Sequence, residues 1–178
     1  MSARLVDSDI TKLVAVLGGV GNVNSPTITE LNAAVAAGDI TCATVAGYTL
    51  GMTGSDTIDG KSVCDKGNVT NFASANYAGE LTFFLESEED ETAATSAYIR
   101  AAEFFTTRGI QFDLVRRIGK SHEEPFEVGD LVEVFGFVTD YPQYTSGADG
   151  NNYATFMQPL GQQSRFSDGK VAVVAATP

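Results

Sequence analysis

From residue 110 onward one pattern recurs: runs at 110–118, 127–140, 153–160 and 170–175 are each of strand length and rich in β-branched and aromatic residues. Polar breaks at 121–125 and 141–152 part them, the second crowded with Gly, Ser, Asp and Asn in the manner of a mobile loop. Consecutive strands joined by such breaks make a β-meander, which commits the C-terminal half to antiparallel sheet. Eighteen glycines, eleven Phe, six Tyr and no Trp extend the argument to the whole chain, because they favour short strands and Gly-rich turns over helix. The expected class is mainly β, and 178 residues suffice for one domain with one sizeable core.

Two segments depart from that pattern. Thr27 and Glu30 have the spacing of a capping box, Leu31 to Ala37 continue a helical pattern, and Gly38 offers a stop, which predicts a short helix at about 28–37. A second helix is expected at about 92–107, where Ala94, Ala97, Tyr98, Ala101, Phe104 and Phe105 fall on one apolar stripe. Glu88 to Glu91 sit at its positive end, and Arg108 and Gly109 at its negative end, so the acidic run is explained by the helix dipole without a metal. Between 80 and 86 strict alternation places Leu81, Phe83 and Leu85 on one side of a strand and Glu80, Thr82 and Glu86 on the other, with Phe84 interrupting the polar side. Gly47, Gly51, Gly54, Gly60 and Gly67 punctuate a stretch with no helical period, read as short strands around an extended loop.

The chemistry-bearing motifs fail one by one. Gly18-Gly19-Val20-Gly21 lacks the third glycine of a dinucleotide fingerprint, since Asn24 stands there. Asp59-Gly60-Lys61-Ser62 ends like a phosphate loop, but Ser55 holds the position of the first glycine and Asp56 and Asp59 would repel phosphate. The Asp-Gly pairs at 59–60, 149–150 and 168–169 lack the ligand spacing of a calcium loop and read as turns. His122 is the one histidine, and any triad or Cys-His dyad would have to use it; between Ser121 and Glu123 it reads as a loop residue. Cys42 and Cys64 form no CxxC and are expected as buried thiols. The apolar stretch from Leu13 to Val20 is too short to span a bilayer and carries no signal-peptide cleavage pattern. No catalytic residue, cofactor or metal is expected.

Charge narrows the partners. A net charge of -12, with no basic run longer than Arg116-Arg117, excludes a tight nucleic-acid binder and an anionic membrane surface. With 43% hydrophobic and only 19% charged residues, part of the uncharged surface should be covered by something other than water.

Thr53-Gly54-Ser55-Asp56-Thr57-Ile58-Asp59, the strand Gly79-Glu80-Leu81-Thr82-Phe83-Phe84, and the helix before Arg108-Gly109 resemble the major tail tube proteins of long-tailed, non-contractile bacteriophages. The likeness continues through Gly129 to Phe135, Phe137-Val138, Met157, Pro159-Leu160-Gly161 and Lys170 to Val174. It implies a β-sandwich or barrel flanked by a helix, within a single domain over 1–178, six copies per ring, and stacked rings forming a tube through which DNA passes without specific binding. Ring closure would also give a place to strands with apolar residues on both faces. The resemblance further implies a long inter-ring loop, matched to about 47–65 with Gly51, Asp56, Asp59 and Asp65 in it. Residues 1–24 fall outside the likeness and are expected to form an arm touching a neighbour. The implied setting is the virion tail, after assembly in the host cytoplasm, with other tail proteins as further partners. Two alternatives stand beside it: another ring-forming tail component, such as a terminator or injection-tube subunit, and a small-molecule-binding β-barrel with a closed apolar pocket.

Overall fold

A computed structural model describes residues 9–85, 97–145 and 153–176. In chain order the elements are β1 (Thr11–Leu17), α1 (Ile28–Gly38), a single turn of 3-10 helix (Thr41–Ala43), β2 (Thr49–Met52), β3 (Thr57–Asp59), β4 (Thr70–Phe72), β5 (Tyr77–Phe84), α2 (Ala97–Phe105), β6 (Gln111–Ile118), β7 (Leu131–Thr139), β8 (Gln143–Thr145), β9 (Thr155–Phe166) and β10 (Val171–Ala172). Eight strands make one antiparallel sheet in the order β1-β6-β7-β9-β5-β2, with β10 beside β7 and β8 beside β9; β3 and β4 form a separate pair. The sheet curls into a half-barrel, so the mainly β expectation holds.

The strands β6, β7 and β9 form the expected meander. β9 is longer than its sequence run suggested, because its second half bonds β7 from Thr139↔Leu160 to Phe135↔Phe166. A register shift between Phe135 and Phe137 permits this. At that point a β-carbon on Gly136 would lie 2.8 Å from the Arg165 carbonyl oxygen, so the strands approach too closely for a side chain. β8 occupies part of the stretch read as a mobile loop, and pairs Gln143↔Met157 through Thr145↔Thr155.

Alternation sends Leu81 and Phe83 of β5 into one face of the sheet, where they join Leu13, Phe112, Leu114, Phe135, Phe137 and Phe156. α2 covers this cluster: Ala101 and Phe105 are fully buried, Tyr98 and Phe104 pack against it, and the Phe105 ring stacks on Phe83 at 4.7 Å. α2 ends at Phe105, short of the expected 107, and Gly109, with φ +86, sends its N–H to the Thr139 carbonyl of β7 at 2.9 Å and not to a helix carbonyl. The acidic run 88–91 and the expected first turns of this helix lie outside the described residues.

The opposite face is also covered within the chain. Val14 and Val16 of β1, Val115 of β6, and Val132 and Val134 of β7 bury under Leu31 of α1, Phe126 and Val173. Two-sided apolar strands therefore do not require a neighbouring subunit at this end of the sheet, contrary to what ring closure was expected to explain. α1 starts as predicted, with Glu30 N–H donating to Thr27 Oγ1 at 3.3 Å and Thr27 N–H donating to Glu30 Oε2 at 3.0 Å. Gly38 ends it for a different reason from the one expected. Its φ is not left-handed; a β-carbon there would stand 1.9 Å from the Ala15 carbonyl oxygen, so glycine lets the helix end touch β1.

Two further expectations change. Residues 11–17, placed within an arm, form β1 and pair with β6 from Thr11↔Ile118 to Leu17↔Phe112, because their apolar run has a sheet face on each side. Cys42 and Cys64 are exposed, and neither is in a disulfide. The first sits in the 3-10 turn, where Ala43 and not Cys42 turns into the core, and the second in the excursion between β3 and β4, away from the core.

Candidate assembly surface

The segment from β2 to β5 is one antiparallel ribbon that leaves the sheet. Its inner part is anchored: Thr49↔Glu80, Leu50↔Gly79, Gly51↔Ala78 and Met52↔Tyr77 pair β2 with β5. The two chains then stay together beyond the sheet, with Thr53 N–H on the Asn76 carbonyl at 2.8 Å, Asp56 N–H on Ser74 at 2.9 Å and Ala73 N–H on Asp56 at 2.7 Å. Thr57↔Phe72, Ile58↔Asn71 and Asp59↔Thr70 form β3 and β4, and Gly60 N–H reaches the Val69 carbonyl at 3.0 Å. The extended loop expected at 47–65 is thus only the outgoing half of an arm whose return half runs through β4 to Asn76.

This arm has no core of its own. Phe72 is 82% exposed, Ile58 62% and Val63 fully exposed, and Met52 and Val69 are exposed as well. Paired residues share a face, so Phe72 lies with Thr57 on one side of the ribbon and Ile58 with Asn71 on the other. Each face therefore presents a large apolar side chain to solvent. A two-stranded ribbon of this kind is marginal alone in water, and edge strands with exposed apolar residues are templates for association.

The four residues expected in an inter-ring loop fall at distinct places along it. Gly51 lies at the root, in β2, with φ +150, a conformation side chains rarely adopt. Asp56 Oδ1 accepts from Asn76 Nδ2 at 2.9 Å, bracing one strand against the other just beyond the sheet. Asp59 Oδ1 accepts from the Thr70 hydroxyl at 2.7 Å. Asp65 Oδ2 accepts from Ser62 N–H at 2.6 Å and shapes the tip. Each carboxylate is engaged within the arm, where it sets backbone course. Asp56, Asp59 and Asp65 are not brought together, and among the described residues no group of three His, Cys, Asp or Glu side chains could hold a metal.

Residues that the sequence did not single out fix the root. Tyr77 is 4% exposed, and its ring packs on Phe135, Phe137 and Phe166. Its hydroxyl lies among the carbonyls of Gly136, Gln163 and Arg165 and accepts from Gln163 N–H at 2.9 Å. Burial pushes the Tyr77 phenol up, so it stays a neutral donor. Gln162 clamps the next residue pair, its Oε1 accepting from Tyr77 N–H at 2.9 Å and its Nε2 donating to Asn76 Oδ1 at 3.2 Å. The arm is thus rigidly rooted and bare beyond its root. An isolated aromatic after Asn76 was the one available signal for Tyr77, and it is no different from those of ordinary strand residues.

Comparison with known proteins agrees with a tail component. The profile of the family described as phage tail tube protein matches residues 1–176. No curated protein matches. Among solved structures, a chain in "Cryo-EM structure of the anti-feeding prophage (AFP) baseplate, 6-fold symmetrised" superposes with a TM-score of 0.50 at 11% identity, over 99% of this chain and all of that one. At that identity the likeness concerns the fold.

Proposed function

We propose that this chain, which belongs to the phage tail tube protein family, closes with its own copies into hexameric rings and stacks those rings into the tube through which the genome passes. A structural role in a phage tail follows from the family; the ring, the stacking and the passage of DNA are our reading. The observation that carries it is the arm between Met52 and Tyr77, which exposes Ile58, Val63 and Phe72 with no cover among the described residues. An adjacent ring supplies that cover, and the 1–178 domain then acts as one repeating unit with Gly51, Asp56, Asp59 and Asp65 shaping the inter-ring contact.

Charge suits the same role. At -12 the subunit repels phosphates, so a lumen lined by it lets DNA slide without trapping it. Neither cofactor nor catalysis enters this account. Assembly takes place in the host cytoplasm with other tail proteins closing the ends, and the product resides in the virion.

Sedimentation velocity across a concentration series tests the reading. The wild-type chain is expected to form species that grow with concentration, and the double variant Ile58→Asp, Phe72→Asp to stop at the monomer or a single ring while keeping its melting temperature. Equal growth of both proteins would remove the arm from the assembly.

A further inference from the structure

The chain's one histidine lies beside one of its two cysteines. Cys42 Sγ is 4.0 Å from His122 Nδ1, at the outer edge of sulfur hydrogen-bond range, and His122 Nε2 is 3.0 Å from Asp9 Oδ1. Eighty residues of sequence separate Cys42 from His122, so the fold alone makes this arrangement. It opens on a cleft of about 450 Å³, with Asp9, Thr11, Cys42, Tyr48 and His122 on its wall.

Both partners are held from behind. The Cys42 turn is stitched to β1 through Thr41, whose hydroxyl accepts from Leu13 N–H at 2.9 Å. The His122 loop is drawn down by two buried cations that are neighbours in the β1–β6 register. Lys12 Nζ donates to the His122 carbonyl at 2.8 Å and to Glu124 at 3.1 Å, and the Arg117 guanidinium donates to Ser121, Glu124 and Pro125. His122 N–H also donates to the Asp9 carbonyl at 3.0 Å.

A thiol beside an imidazole that is itself oriented by a carboxylate is the arrangement that favours thiolate, which is the nucleophilic form. We propose that Cys42, with His122 and Asp9, is a modification site that takes up a small thiol by exchange with low-molecular-weight disulfides. In the step, the Cys42 sulfur attacks one sulfur of the small disulfide; the new S–S bond forms as the old one breaks, and the departing sulfur carries off the electron pair and is protonated. Cys42 is oxidised, the small disulfide is reduced, and no other reagent is consumed. Among the described residues the other charged groups near the pair are Asp39, which accepts from Thr41 and lies 3.7 Å from Lys12, and Glu123 and Glu124, which follow His122 in the loop; the neutral Ser121 Oγ is 3.4 Å from Asp9 Oδ2.

Cys64, exposed at the arm tip, is the internal reference. Reaction with the aromatic disulfide dithiobisnitrobenzoate, followed by its coloured thiolate, is measured on Cys64→Ser, which reports Cys42, and on Cys42→Ser, which reports Cys64. Cys42 is expected to react about tenfold faster than Cys64 at pH 6, with the ratio narrowing towards pH 9. Adding His122→Gln to Cys64→Ser should bring the pH 6 rate down to that of Cys64, with circular dichroism confirming the fold. Should that variant unfold, the pH profile of the two single variants decides alone. Equal rates at pH 6, or a Cys42 rate indifferent to His122→Gln in a folded protein, would overturn the proposal.

Discussion

The Phe137 ring of β7 occupies the space where a β-carbon on Gly79 of β5 would stand, with Cζ 2.5 Å from that position. These strands are not neighbours, since β9 lies between them. Contact across an intervening strand requires the sheet to curl, and the absence of a side chain at 79 permits it. Gly79→Ala is expected to overpack the core by about 1–3 kcal/mol, read as a fall in the urea midpoint without a change in slope. An unchanged midpoint would mean that Phe137 has room to move and that the curl does not depend on this glycine.

Arg117 and Asp130 form a buried ion pair. Arg117, about 1% exposed, donates to Asp130 Oδ2 at 3.1 Å as well as to the three loop carbonyls, and Lys120 Nζ lies 2.6 Å from Asp130 Oδ1. Arg117→Met leaves Asp130 with Lys120 alone and takes the guanidinium from those carbonyls, and should destabilise by about 1–3 kcal/mol, measured by urea unfolding. Loss of under about 1 kcal/mol would show that water enters and replaces the guanidinium.

The same cluster sets a pH dependence. Burial alone would push the Asp130 carboxyl up, but hydrogen bonds from Lys120, the Glu127 N–H and Arg117 outweigh it and hold Asp130 below the usual value of 3.8. A carboxylate depressed in the folded state stabilises above its unfolded value, and that stability is lost as pH falls through the folded one. Lys120 is held above 10.5, mainly by its hydrogen bond to Asp130, so its contribution is full below that value and fades as pH rises through the folded one. Asp130→Asn should flatten stability below about pH 4 and on the alkaline side above 10.5, measured by thermal melts across pH. Parallel curves for variant and wild type would contradict this.

At the start of α1, Thr27→Ala removes the hydroxyl that accepts from Glu30 N–H and donates to Glu30 Oε2 at 2.7 Å. The expected loss is about 1 kcal/mol. Thr27→Ser should recover most of it. Failure of the serine to rescue would assign the loss to the methyl group.

The arm predicts its own proteolysis. Lys61 and Lys66 lie in its exposed tip, so trypsin should cut there first in the unassembled subunit and leave the sheet intact, as read by mass spectrometry. In the assembled form the same bonds should be protected. First cleavage within the sheet would contradict the rooting by Tyr77 and Gln162.

What could be read from the sequence was what is local. Thr27 and Glu30 act within one helical turn, and the alternation around Leu81 and Phe83 is a property of one strand, so both were visible. The return strand Thr70–Phe72 was not, since three exposed residues carry no hydrophobic period and are ordered by pairing with Thr57–Asp59. Gly38 and Gly79 show the same limit: each is glycine because a distant segment touches it, Ala15 in one case and Phe137 in the other. The position of Cys42 beside His122 is equally non-local, and nothing in the spacing of either residue announces it.

Negative-stain electron microscopy of the purified chain at low and high concentration shows whether rings form and stack. Rings that stack into hollow tubes are expected as concentration rises, and rings that do not stack when Ile58 and Phe72 are both replaced by aspartate. A monomer at every concentration, or tubes from the doubly substituted chain as long as those of the wild type, would contradict this.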